Sequence, residues 1–205
     1  MKFYRFRRST NCERVALALG HKGIAPETVR VDPADRAPVR QVSGQDLVPV
    51  LVFDDGEVVS DSMEIVRRLD ERHPEAPLYP ASASRRAEML VFIDWFNRVW
   101  KRPPNEIAQE LEKESPDAGR IERLGTAMVQ ALDLFERMLD GRDYLMGDGF
   151  SAADCCAFPF VKYGALGDGG STYLFHQVLA RHQPIDARHP RLRDWIRRCD
   201  AQPRA

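Results

Sequence analysis

The first part of the chain alternates short apolar runs with patterns of helical period. Residues 2–6, KFYRF, switch between apolar and polar positions, the signature of a half-buried strand. Residues 11–22, NCERVALALGHK, fit a helix that stops at Gly23, a residue suited to the left-handed step past a helix end. ETVRV, from Glu27, predicts a second short strand, and the polar stretch 34–43, which contains Pro38, a short or irregular helix. VPVLVF (48–53) is an almost unbroken β-type run, DDG (54–56) a hairpin turn, and EVVS (57–60) the returning strand. DSMEIVRRLDERH then predicts a helix with Ile65, Val66 and Leu69 on one side and basic residues near its end. The predicted order is β-α-β-α-β-β-α.

Near residue 75 the pattern changes. Residues 74–84, PEAPLYPASAS, hold three prolines and little periodicity, as a linker does. Everything beyond has helical character: 85–102 up to Pro103-Pro104, 117–140 up to Gly141, 152–166 up to a glycine-rich stretch, then about 171–182 and 189–200. SAAD, Ser151 to Asp154, is a capping signal ahead of an apolar run, with Ser151 as cap and Asp154 reaching back. The expected organisation is an α/β domain over 1–74, a linker over 75–84 and an all-α domain over 85–205.

Composition narrows the function classes. Of 205 residues, 43% are hydrophobic and 30% charged, ordinary for a globular protein. Thirty basic residues against 31 acidic ones leave a net charge of −1, without the basic surplus that nucleic-acid binding calls for. No run is long enough to span a bilayer, and MKFYRFRRST lacks the apolar core of a signal peptide, so the expected location is the cytoplasm, with no membrane partner. Four cysteines without zinc spacing and five scattered histidines predict no metal site.

STNCERVALALGHKGI, LVPVLVFDDGEVVSDSMEIVRRLDERHP, LYP and SAAD, in that order and spacing, resemble the glutathione S-transferase superfamily over essentially the whole chain. The resemblance implies a thioredoxin-like first domain, an α-helical second domain, glutathione as co-substrate, a small-molecule electrophile as partner and a homodimer.

Glutathione transfer needs a thiolate, whereas an ordinary Cys-type thiol has a pKa of about 8.5. Ser9 stands between the first strand and the first helix, where a hydroxyl can donate to sulfur beside a helix N-terminus. In the serine-type classes that hydroxyl activates the thiol. The residues alone equally allow Ser9 to be a helix cap, and capping and catalysis are compatible. Thr10 and Asn11 are rival activators, and Asn11 is a rival cap. Cys12 completes an S-x-x-C motif and leaves thiol-disulfide reduction as an alternative.

By the same resemblance, Val48-Pro49 is a cis pair whose preceding residue hydrogen-bonds glutathione through its backbone. Asp61 and Ser62 bind its γ-glutamyl end, Asp61 taking the amino group and Ser62 the carboxylate. The family's polar residue before the Val-Pro pair is replaced by Leu47, so the glycyl carboxylate falls to Arg40, Gln41 or Gln45. Phe96, Val99, Trp100 and Arg102 are the expected wall of the electrophile pocket, although aromatics at helical spacing also describe a core. Two other readings compete with transfer. One is a zeta-type cis-trans isomerase, suggested by ALGHKGI, although that class's Ser-Ser-Cys turn is here Ser-Thr-Asn. The other is a non-catalytic binding module of the same fold.

Overall fold

The computed structural model describes residues 1–205. They form two compact units, one of residues 1–81 with 202–205, the other of residues 82–201.

The first unit is a four-stranded sheet in the order β2-β1-β3-β4, from β1 (Lys2–Arg5), β2 (Glu27–Arg30), β3 (Val50–Val52) and β4 (Val58–Ser60). β1 runs parallel to β2 and antiparallel to β3, which is antiparallel to β4. Alternation along the strands divides the core in two. Phe3, Leu51 and Val59 share one register row; Tyr4, Val50 and Val52 belong to the opposite face and pack with Val31, Val39, Val42 and Val48. Val39 and Val42 come from the short helix α2 (Ala37–Ser43), which ends at Gly44 in the left-handed region, φ 72°.

Helices α1 (Thr10–His21) and α3 (Ser62–Arg72) pack together, burying Val15, Leu17, Leu19, Ile65, Val66 and Leu69 completely. Lys22 locks their far ends. Its buried ammonium donates to Asp70 Oδ1 at 2.8 Å and to the His73 and Ala76 carbonyls at 2.8 and 3.1 Å. Residues 202–205 return to this unit: Ala205 N donates to Ala16 O at 3.1 Å and Arg5 Nη1 to Ala205 O at 2.6 Å. Gly20 makes room for them, since a Cβ there would lie 2.2 Å from the Pro203 carbonyl.

The second unit is all helical, with α4 (Ala83–Trp95), α5 (Arg102–Leu111), α6 (Ala118–Met138), α7 (Ala152–Val161), α8 (Tyr163–Leu166), α9 (Leu174–His182) and α10 (Pro190–Asp200). Where the sequence predicts one helix over 85–102, α4 stops at Trp95 and a π-helical turn, Phe96–Trp100, follows. The prolines expected to end that helix stand in the opening turn of α5, where the backbone N–H groups have no helical partner to lose. Around α7 the Ser151–Asp154 capping box forms as read. Asp154, fully buried, also accepts from Leu145 N at 3.0 Å and Trp195 Nε1 at 2.8 Å. No helix is long and apolar enough to cross a membrane.

Candidate active site

β1 ends at Arg5, and a tight turn, Ser9 N to Phe6 O at 3.2 Å, carries the chain into α1. Ser9 is extended (φ −80°, ψ 118°) and caps the helix, its Oγ accepting from Cys12 N at 3.2 Å. Thr10 and Asn11 lie inside the helix, so Ser9 rather than Asn11 is the cap. Thr10 is buried, Asn11 half-buried. An oxygen that accepts through a lone pair keeps its own proton to donate. The Ser9 hydroxyl therefore keeps a donor proton beside the positive end of the α1 dipole.

Cys12 is fully buried. Burial pushes its thiol up from the ordinary value, outweighing the Ser9 side chain, the Phe6 backbone and the charges of Arg5 and Arg36. A thiol so placed is protonated and out of reach, a poor attacking group.

Two further segments reach the same end of the sheet. Tyr4, Val50 and Ser60 lie side by side across β1, β3 and β4. The residues just before β3 and just after β4 therefore flank the turn after β1. With strands about 4.8 Å apart, the three strand ends span about 10 Å. Before β3, the Val48–Pro49 peptide is cis. Val48 is half-buried, and its N–H and C=O hydrogen-bond to nothing within the protein. After β4, Asp61 opens α3 with φ 75°, a left-handed conformation uncommon outside glycine. Its Oδ1 accepts from Met63 N at 2.9 Å and Glu64 N at 3.1 Å. Ser62 is 4% exposed, and its Oγ accepts from Arg14 Nη1 at 3.2 Å.

The groups expected at the glycyl end are largely engaged elsewhere. Arg40 Nε donates to Asp46 Oδ1 at 2.8 Å, a hydrogen bond that holds Asp46 below the usual carboxylate range. Gln45 folds back on Ser43 and on both the N–H and C=O of Leu47. Leu47 itself is 76% exposed.

The family model of the glutathione S-transferase N-terminal domain matches residues 3–77, and that of the C-terminal domain matches residues 118–198. The chain belongs to the glutathione S-transferase superfamily. Maleylacetoacetate isomerase of Pseudomonas aeruginosa is 36% identical to it over 205 aligned positions, covering 94% of either protein. A stringent starvation protein A homolog of Haemophilus influenzae is 29% identical over 73% of this chain and 68% of its own. A crystal structure of a glutathione S-transferase from Rhodospirillum rubrum F11 superposes with a TM-score of 0.76 at 23% identity, covering 98% of this chain and 88% of that one. That likeness speaks for the fold.

In this superfamily member the expected electrophile wall divides by burial. Phe96 and Trp100 stack at 4.5 Å and meet Phe135 and Phe160 edge-on inside the helical unit. Val99 and Arg102 are exposed, and Arg102 pairs with Glu106. Sequence reasoning missed Arg14, which is 1% exposed and shares its side of α1 with Leu17 and Ala18. The available signal was a lone charge set within an apolar helical face. In an arginine-rich chain that signal is easily taken for a solvated position.

Proposed function

We propose that this protein binds glutathione across the β1/β3/β4 end of its first sheet and activates the thiol through Ser9. The observation that supports the reading best is the open backbone of Val48. An unpaired N–H and C=O on one residue is the docking edge for an extended peptide, which adds to the sheet as a further strand. On this reading the glutathione thiol gives its proton to solvent, and the Ser9 hydroxyl donates to the sulfur that remains. The thiolate then attacks an electrophilic carbon, forming a C–S bond as the leaving group departs with its electron pair. Val99 and Arg102 are the exposed candidates for contact with the electrophile, with Phe96 and Trp100 as their buried backing. The proposal includes a homodimer, which sedimentation velocity tests.

The similarity to maleylacetoacetate isomerase favours a second use of the same thiolate. Added to the carbon of a cis double bond, it would permit rotation about the new single bond and then leave, regenerating glutathione. One pair of assays separates the alternatives. An activated aryl halide tests transfer, read as loss of free glutathione with product formed. A maleyl diketo acid tests isomerisation, read as cis-to-trans conversion with glutathione conserved. Isothermal titration with glutathione that registers no binding at millimolar concentration rejects both and leaves the binding-module reading.

A further inference from the structure

We propose that Arg5, Arg7 and Arg30 form a second binding site, for a phosphate-bearing small molecule, separate from the glutathione site and independent of that reading. The three guanidiniums, with Thr28 and Ala205, line a cavity of about 580 Å³ in the first unit. One wall is the β1/β2 ladder, where Phe3 pairs with Thr28 and Arg5 with Arg30. Partners in a ladder share a face of the sheet, as do residues two apart along a strand. Thr28 and Arg30 therefore stand beside Phe3 and Arg5 on one side of the sheet. Arg7 reaches the cavity from the turn after β1.

Charge is placed here against the usual pattern. Like charges directly opposite each other on adjacent strands destabilise a sheet, yet Arg5 and Arg30 are such a pair, with Arg7 added. No acidic side chain lines the cavity. Glu27, on the same strand as Arg30, alternates to the other face and pairs with Lys2. Arg5 is held in place: its Nη1 donates to Ala205 O at 2.6 Å, and its guanidinium lies 5.1 Å from the centre of the Phe3 ring. The side chains of Arg7 and Arg30 have no hydrogen bond or ion pair within the protein. Natural sequences break such local rules mainly where function requires it. An arriving anion would relieve the repulsion that the chain itself leaves in place.

The donor set selects the ligand. The planar fork of a guanidinium matches two oxygens of a phosphate group. Three such forks on one cavity suit a group with two or more negative charges better than a single carboxylate, and the Thr28 hydroxyl adds a neutral donor. The volume falls within the range of about 300–1,000 Å³ usual for small-molecule sites, which leaves room for an organic part. No aromatic ring lines the cavity, so the phosphate end is what it recognises.

The probe is inorganic pyrophosphate, titrated calorimetrically into the full chain at low ionic strength. It should bind, and added salt should weaken it. Arg7→Gln and Arg30→Gln should each lower the affinity about 10-fold or more, the loss of one charged hydrogen bond. Arg181→Gln, the same charge change at an exposed position of α9, should leave it unaltered. Without ligand, Arg30→Gln should be at least as stable as wild type in a denaturant titration, because a like charge has gone. A destabilised Arg30→Gln protein would give that arginine a structural role and count against the site. Saturating glutathione should leave the pyrophosphate affinity unchanged; displacement would assign these charges to the glutathione site and overturn the proposal. Absence of pyrophosphate binding, or equal weakening by Arg181→Gln, also overturns it. So does binding to phosphatidic acid vesicles without binding of free pyrophosphate, which would make the ligand a membrane surface. A protein that binds pyrophosphate but not glutathione would lose only the glutathione reading.

Discussion

On the proposed function, one side chain at Ser9 would serve two partners without conflict. Its oxygen lone pair receives Cys12 N–H, while its proton remains for a sulfur. Two substitutions separate these uses. Ser9→Ala removes both: stability should fall by about 1 kcal/mol in a denaturant titration, and turnover at neutral pH should fall on the order of 100-fold. Ser9→Gly is a tolerable cap, so stability should fall by only a few tenths of a kcal/mol, with activity as low as in the alanine protein. In both, the pKa of bound glutathione should rise. The thiolate fraction then recovers as pH increases through the raised value, so the rate deficit should be widest at neutral pH and narrow toward alkaline pH. Cys12→Ala should leave turnover and its pH profile close to wild type and cost about 1 kcal/mol of stability. Loss of activity in that protein, with Ser9→Ala active, would move the chemistry to the thiol.

Among the elements, what could be read from the sequence followed periodicity and turn chemistry, and what could not was decided by contacts distant in the chain. The βαβαββα order, the turn at Asp54–Gly56, the Ser151 capping box and the ends of most helices follow local rules. α5 was missed because Pro103-Pro104 signals a stop in one register and a start in another, and only the break at the π-helical turn selects the second. In the site, residue types at Ser9, Val48, Asp61 and Ser62 were legible. The self-capping carboxylate of Asp61 and the Arg14 contact, which joins positions 48 residues apart, were not. Lys22 is another such case. It reads as an ordinary residue at a helix end, yet its ammonium is buried against Asp70, which also accepts from Leu78 N at 2.7 Å. Lys22→Met would leave a carboxylate short of its counter-charge in a nearly closed site. Stability should drop by about 3–5 kcal/mol, measured by chemical denaturation.

For the molecule as a whole, the two compact units give ligand binding an address. Glutathione at 100 times its dissociation constant should stabilise the protein by about 2.7 kcal/mol. Hydrogen exchange followed by mass spectrometry should place the added protection in residues 1–81, first at peptides containing Val48 and Ser62. Protection appearing only within 82–201 would contradict the proposed site. The buried state of all four cysteines has a further consequence. On the proposed function, a catalyst handling thiol-seeking electrophiles would be exposed to alkylation by its own substrates, and all four cysteines of this chain are buried. The folded protein should therefore resist suicide inactivation. Modification by a thiol reagent, rising from none to four per chain as denaturant is added, should measure directly the fraction of molecules that have opened.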